Sequence, residues 1–184
     1  MSVHEAGQVR SGNKVPSIRL IAIDDRLERT VRESGDAFRQ AYGASLGESG
    51  VAVRDVVGQT LSLLRTAPRA AEWGGYLVVD RARDMVIGAC GYAHGPEVDG
   101  TVEIAYHTFA GFEGQGFATA MARELCEKAA QSGRVREIVA HTLPERSTST
   151  RILEKVGLRR AGEARDAEVG TVWRWVLTAG ERPR

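Results

Sequence analysis

A glycine-rich loop between a predicted strand and an amphipathic helix constrains this chain most strongly. The segment YHTFAGFEGQGFATAMARELCEKA places Gly111, Gly114 and Gly116 just before a helix that the apolar spacing predicts over 116–131. Glycines let a backbone approach a ligand closely, and the unpaired amides over 115–119 lie at the positive end of the helix dipole. The loop is therefore a candidate pyrophosphate site. A glycine turn that only begins a helix is the alternative.

Two common phosphate-binding patterns fit this loop poorly. A P-loop needs Gly-Lys-Ser/Thr, which is absent after the glycines. A dinucleotide fingerprint needs Gly or Ala three residues after Gly116, where Thr119 stands, and an acidic residue at the end of the next strand, where His141 and Thr142 stand. An enzyme that binds a nucleotide or dinucleotide is thus a weak alternative.

The order of predicted elements indicates an α/β (α+β-like) fold with a mixed, mostly antiparallel central sheet flanked by helices. A first strand precedes two helices, and three strands, a helix, a strand, a helix and two strands follow. The segments are IRLIAI, helices over 24–43 and 53–65, YLVVD, MVIGACGYA, TVEIAYHTF, the 116–131 helix, EIVAHT, a helix over 147–156, and a strand pair that includes VGTVWRWVL.

Length and charge predict one domain without a polyanionic partner. The chain has 184 residues, and its 25 Lys+Arg against 24 Asp+Glu give no electrostatic case for a nucleic-acid partner. Residues 1–15 are predicted to be a flexible, dispensable leader and residues 16–180 a single domain. The sequence shows no signal peptide or membrane span, so we expect a cytoplasmic protein with no membrane partner.

The two cysteines do not indicate a metal site. Cys90 and Cys126 lack metal-ligand spacing, so we expect two buried, reduced thiols and no metal site.

Three blocks in the correct order resemble the GNAT family of N-acetyltransferases, in particular the branch that includes the ribosomal-protein alanine acetyltransferases. The resemblance covers about Ile18 to Leu177. VEIAY is similar to the family's fourth strand, and STSTRILEKVGL is similar to its Ser-x-Arg-Val-Leu-Glu-Lys-x-Gly-Phe segment. The third block is similar to the Gln/Arg-x-x-Gly-x-Gly/Ala loop that binds the pyrophosphate of acetyl-CoA, and reads Glu113, Gly114, Gln115, Gly116, Phe117, Ala118, followed by Thr119.

The resemblance implies an acetyl-CoA-dependent transferase and assigns roles to particular residues. Glu103 is the predicted base that removes a proton from the acceptor amine, and His107, on the same strand face, is a second candidate that we interpret instead as a hydrogen-bonded strand histidine. Backbone amides near the splay of two strands would polarise the thioester oxygen. They belong to Tyr106, His107, Thr108 and Phe109.

A proton donor for the leaving thiolate is harder to assign. Many family members use a tyrosine where this chain has Leu153, so Ser149 is the predicted substitute, with a helix-start role as the alternative. The branch commonly holds the pantetheine arm with an asparagine where this chain has Arg146. Ser147 or Thr148 is the candidate replacement.

The remaining aromatic and histidine residues have structural interpretations. Trp173 and Trp175 share a strand face and fit a core better than an acceptor pocket. His94 and His141 are expected to be hydrogen-bonded strand residues.

The leading hypothesis is direct acetyl transfer to a primary amine, of a small molecule or of a protein N-terminus, with a homodimer as a possible assembly. A non-catalytic acyl-CoA-binding sensor is the alternative, because the phosphate loop is intact while the tyrosine and the asparagine are missing.

Overall fold

The computed structural model describes residues 15–96, 99–178 and 180. Residues 1–14 of the predicted leader lie outside this range. The seven strands are β1 (Ile18–Ala22), β2 (Gly75–Asp80), β3 (Met85–Tyr92), β4 (Thr101–Thr108), β5 (Glu137–Thr142), β6 (Arg159–Asp166) and β7 (Gly170–Thr178). The α-helices of the described residues are α1 (Asp25–Glu33), α2 (Gly35–Tyr42), α3 (Gly50–Thr66), α4 (Phe117–Gln131) and α5 (Thr148–Val156).

The strands form one sheet in the order β1-β2-β3-β4-β5-β7-β6. Every neighbouring pair is antiparallel except β4 and β5, which are parallel and are joined by the α4 crossover. The predicted fold class, a mixed and mostly antiparallel sheet flanked by helices, is therefore confirmed.

The region between β1 and β2 differs from the prediction, because three α-helices occur there instead of two. The break lies at Ser34, whose extended backbone ends α1 and whose hydroxyl accepts a hydrogen bond from the Ala37 amide, 3.0 Å long, at the start of α2. A serine at this point satisfies an orphan amide of the second helix, so the chain restarts instead of continuing.

Two apolar layers hold the sheet between the helices. Helices α1 to α3 cover one face, where Leu27, Phe38 and Val57 pack against strand residues such as Leu77. Helices α4 and α5 cover the other face, where their buried side chains pack against Val78, Ile138 and other strand residues. Both cysteines are buried and free, as the sequence predicts. None of the described helices has the length and hydropathy that a bilayer crossing requires.

Candidate functional site

The glycine loop, residues 111–116, connects β4 to the first turn of α4. Gly111, Gly114 and Gly116 adopt φ values of 86°, 73° and 88°, in the left-handed region that favours glycine. Gly116 is the N-cap of α4 and supplies no side chain to the first-turn amides. These amides therefore point into the space before the helix, where the helix dipole favours an anion.

Hydrogen bonds hold the loop in this shape from within and from a distant turn. The Glu113 carboxylate accepts a 2.8 Å hydrogen bond from the Gly111 backbone amide, and the side-chain Nε2 of Gln115 donates one of 3.0 Å to the Gly111 carbonyl. Arg83, in the turn between β2 and β3, donates a 3.0 Å hydrogen bond to the Gln115 side-chain oxygen. Glu113 stands at the first position of the family's loop motif. The loop accommodates this acidic residue because its carboxylate accepts a hydrogen bond from the loop backbone.

A cleft of about 460 Å³ opens between the glycine loop and α5. We call it the loop cleft. It brings together several residues that the sequence predicts for the cofactor and others that it does not predict. Its lining is Val15, Thr108, Phe112, Glu113, Gly114, Gly116, Phe117, Ala118, Thr119, Arg123, Thr148, Ile152 and Lys155.

The strands β4 and β5 separate beside this cleft. They pair only from Thr101 to Glu103, whereas β4 stays paired with β3 as far as Thr108. The Phe109 amide donates to the Ile87 carbonyl of β3 at 2.9 Å, so it is not a free donor, contrary to the expectation for this residue. Because backbone groups alternate along a strand, those of Tyr106 and Thr108 point instead into the gap. The pairing of β4 with β3 and its pairing with β5 both run without a β-bulge.

Glu103 stands where the gap begins. Its Oε1 lies 2.7 Å from Nδ1 of His141 on β5, and its Oε2 lies 3.8 Å from Nε2 of His94, just after β3. The side chains of Glu103 and His141 are 26% and 28% exposed, so solvent reaches the pair. The sequence prediction interpreted both histidines as strand residues. His141 is indeed a hydrogen-bonded strand residue, but its partner is the predicted base, and His94 lies outside the strands.

A second pocket, of about 280 Å³, lies on the opposite face of β4 beneath α3. We call it the α3 pocket. Ala105 and His107 of β4 line it, on the same strand face as Glu103. Its complete lining is Ile23, Val56, Thr60, Leu63, Arg69, Gly75, Ala89, Cys90, Gly91, Tyr92, Ala93, Ala105, Tyr106 and His107.

Burial controls the ionisation of several groups near these pockets. Desolvation raises the pKa of the Tyr106 phenol, and it raises the pKa of the Cys90 thiol. The pKa of Cys126 rises to about 12 for the same reason. All three groups stay protonated at neutral pH, and neither cysteine can act as a thiolate nucleophile there.

The first turn of α5 separates the predicted hydroxyl residues. Ser147 is the N-cap and forms a capping box with Thr150, so it is Ser147 and not Ser149 that begins the helix. Ser149 is exposed and does not line the loop cleft, whereas its neighbour Thr148 does. Leu153, at the tyrosine position of the family motif, is fully buried in the core.

The tryptophans line a different cavity, of about 780 Å³, beside α5 and the β6–β7 hairpin. Thr150, Glu154 and Gly157 line this cavity, while residues 148, 152 and 155 line the loop cleft, so the two spaces lie on opposite sides of α5. Trp175 is buried in the core, as predicted, and Trp173 packs against it with the Arg160 guanidinium 3.9 Å from its ring centroid.

The described residues contain no group of three or more His, Cys, Asp or Glu side chains that could hold a metal ion. The sequence prediction missed Phe112, Arg123, Ile152 and Lys155 of the loop cleft and Arg83 behind the loop. The helical spacing of 148, 152 and 155 was a signal for one wall of the cleft.

The chain is similar to known proteins over much of its length. The model of the acetyltransferase (GNAT) domain family matches residues 28–159. An uncharacterized N-acetyltransferase p20 from Bacillus licheniformis is 28% identical over 93 residues, which are 50% of this chain and only 52% of that relative.

Several solved structures share the fold. RimJ of Mycobacterium smegmatis, in complex with CoA-disulfide, has a TM-score of 0.63 at 15% identity, covering 92% of this chain and 86% of that one. Ribosomal-protein-S5-alanine acetyltransferase from Vibrio fischeri has a TM-score of 0.59 at 14% identity, covering 91% and 94%. Since the family model matches well over half of the chain, this protein belongs to the GNAT family of acetyltransferases, as its sequence motifs predict.

Proposed function

We propose that this protein transfers the acetyl group of acetyl-CoA directly to a primary amine, with both substrates bound at once. The observation that carries the proposal is the placement of two pockets on opposite faces of β4, beside the point where β4 separates from β5. Thr108 lines the loop cleft, whereas Ala105 and His107 line the α3 pocket. An acetyl donor in the cleft and an amine in the pocket would meet at the gap between the strands.

The loop cleft suits a pyrophosphate-bearing donor. The first amides of α4 supply uncharged donors at the positive end of a helix dipole, and Arg123 and Lys155 supply cationic side chains in the same lining. The Thr108 hydroxyl is buried and has no hydrogen-bond partner among the described residues, so it is available to the pantetheine arm. The CoA in the RimJ structure supports the same assignment by similarity of fold.

The gap suits polarisation of a thioester carbonyl. The backbone groups of Tyr106 and Thr108 face it and have no β5 partner, because the pairing of the two strands ends at Glu103. An amide already fixed by the sheet needs no reorganisation to stabilise charge on the carbonyl oxygen.

Glu103 is the base in this proposal. It lies on the α3-pocket face of β4, two residues and roughly 7 Å along the strand from Ala105. The amine N–H proton passes to its carboxylate as the new C–N bond forms and the C–S bond breaks. A covalent acetyl-enzyme is not part of the mechanism, since burial keeps both thiols protonated. Ser149 and Thr148 are the hydroxyls that could return a proton to the thiolate.

The α3 pocket favours a peptide α-amine over a polyamine. None of the described residues that line it is acidic, whereas a polycation needs several carboxylates. Arg69 lines the pocket, donates to the Ala93 carbonyl and keeps a buried Nε without a hydrogen-bond partner among the described residues. A peptide carbonyl is a fitting acceptor for that group. The name of the Vibrio fischeri neighbour gives it a protein alanine as acceptor, which agrees with this choice.

Calorimetric titration with acetyl-CoA, followed by thiol-release assays, tests the proposal. We expect acetyl-CoA to bind, and NADH and ATP to bind more weakly or not at all. A peptide with an N-terminal alanine should be acetylated in preference to spermidine or an aminoglycoside. Binding without turnover on any amine would favour the sensor alternative. No binding of acetyl-CoA would overturn the proposal.

A further inference from the structure

Two imidazoles on different elements lie beside the Glu103 carboxylate, and only one of them is within hydrogen-bond range. The Glu103–His141 contact, at 2.7 Å, is a hydrogen bond, while the distance of 3.8 Å from Oε2 to His94 is beyond hydrogen-bond range. One carboxylate oxygen is therefore fixed, and the other keeps its lone pairs for a further partner.

The hydrogen bond between Glu103 and His141 joins β4 to β5 at the point where the two strands begin to separate. Glu103 is the last β4 residue paired with β5, opposite Val139, and His141 lies two residues further along β5 on the same face. Beyond this point the described residues of the two strands are no longer paired. The side-chain contact thus replaces the strand pairing where the pairing ends, and it restricts the rotamers of Glu103.

Other charged groups surround the pair without replacing the contact. Arg174 of β7 lies opposite His141 and pairs with Glu137, four residues earlier on β5. Asp166 of β6 lies near enough to be influenced by His141, although its pKa is lowered chiefly by backbone hydrogen bonds from Val169 and Glu168. On β4 itself, His107 shares the face of Glu103 but lies roughly 13 Å further along the strand.

We propose that His141 is the positioning residue for Glu103, which is the base in the proposed function on which this inference rests. The His141 Nδ1–H donates to Oε1 and orients the carboxylate so that Oε2 takes the proton of the acceptor amine. No bond to His141 forms or breaks. The geometry of this chain supports the role. The hydrogen bond explains how the Glu103 carboxylate keeps one orientation towards the gap between β4 and β5.

Nuclear magnetic resonance tests the contact without any acceptor. In ¹⁵N-labelled protein we expect the imidazole of His141 to carry its proton on Nδ1 and to show a hydrogen-bonded N–H signal. Glu103→Gln should shift or abolish this signal. An imidazole spectrum that does not respond to Glu103→Gln would overturn the inference.

Kinetics with acetyl-CoA and an alanine-led peptide test the role. His141→Leu should lower kcat roughly tenfold to a hundredfold, the effect of losing one charge-assisted hydrogen bond, and leave the KM for acetyl-CoA unchanged. His141→Asn should restore most of the activity, because its amide nitrogen is as many bonds from the backbone as Nδ1 and donates as well. Glu137→Gln, on the same strand face but without contact to Glu103, is the matched control and should behave like the wild type.

A double variant separates positioning from structural damage. Adding His141→Leu to Glu103→Gln should cause little further loss, because the residue to be positioned is already gone. Additive losses, or no rescue by His141→Asn, would overturn the inference while leaving the proposed function intact. Failure of the wild type to bind acetyl-CoA would overturn the proposed function and the positioning role together, and the resonance result would still decide whether the contact exists.

Discussion

The guanidinium of Arg83 donates a 3.0 Å hydrogen bond to the side chain of Gln115, 32 residues away in sequence and inside the glycine loop. A second contact, 3.5 Å long, joins Arg83 to the buried carboxylate of Asp80. Arg83, in the turn between β2 and β3, therefore stabilises the glycine loop and places a positive charge beside this loop, which carries the negatively charged Glu113 carboxylate.

Replacing this arginine should weaken the binding of acetyl-CoA. We expect Arg83→Gln to raise the dissociation constant about tenfold, since it removes a charge beside the phosphate site and one hydrogen bond to the loop. Calorimetry measures the dissociation constant, and a second salt concentration separates the lost charge, which salt screens, from the lost hydrogen bond. Arg81→Gln is the control, because Arg81 lies in the same turn but donates to the Ile18 carbonyl. Equal affinities for the two variants would contradict a role of Arg83 at the loop.

Gly116 should be essential to the same site. Its φ of +88° strains any side chain, a Cβ at this position would lie 3.2 Å from Cδ of Pro16, and Gly116→Glu also adds a carboxylate to an anion site. We expect acetyl-CoA binding to be lost in Gly116→Glu and weakened in Gly116→Ala. Gly43→Ala is the control. It imposes a similar backbone cost of about 1–2 kcal/mol at the end of α2 and should leave binding unchanged.

The two hydroxyls at the start of α5 should have separable effects. We expect Ser149→Ala to lower kcat by about tenfold or more, because Ser149 is the predicted proton donor to the thiolate, and to leave the affinity for acetyl-CoA unchanged. Thr148→Val should mainly raise the KM for acetyl-CoA, because Thr148 lines the loop cleft. Steady-state kinetics of both variants check this, and the reverse pattern would transfer the donor role to Thr148.

Restoring the family's tyrosine should not restore a proton donor. Leu153 has no exposed surface, so Leu153→Tyr overfills the core. We expect a loss of about 1–3 kcal/mol in the free energy of unfolding and no gain in kcat. Leu153→Met, which conserves volume, should cost less. Denaturant titration provides the measurement, and an unchanged stability of Leu153→Tyr would show that the ring leaves the core.

Both cysteines should resist thiol reagents in the folded protein. Burial raises the pKa of Cys126 to about 12 and also raises that of Cys90, so very little thiolate exists at pH 8. We expect alkylation of neither residue without denaturant and of both in guanidinium chloride, measured by mass spectrometry. Rapid labelling of the native protein would show that the core around α4 opens readily.

Local patterns explain why much of the fold was predictable. The glycine loop, α4 and the alternation along β4 are properties of short segments, and the structure has them where the sequence places them. The break at Ser34 was harder to foresee, because the helical spacing of apolar residues continues across it from Val31 to Phe38 and only Gly35 interrupts the pattern.

The sequence alone predicts the strands, the glycine loop with its helix and the family, since each depends on residues close together in the chain, but it does not predict the division between α1 and α2. The groups that meet at Glu103 and the residues that complete the loop cleft become apparent only from the folded chain. His141 is 38 residues from Glu103, and Lys155 reaches the cleft from a different helix. Such contacts depend on where β4 and β5 separate, and that separation results from the packing of the whole sheet and not from any one segment.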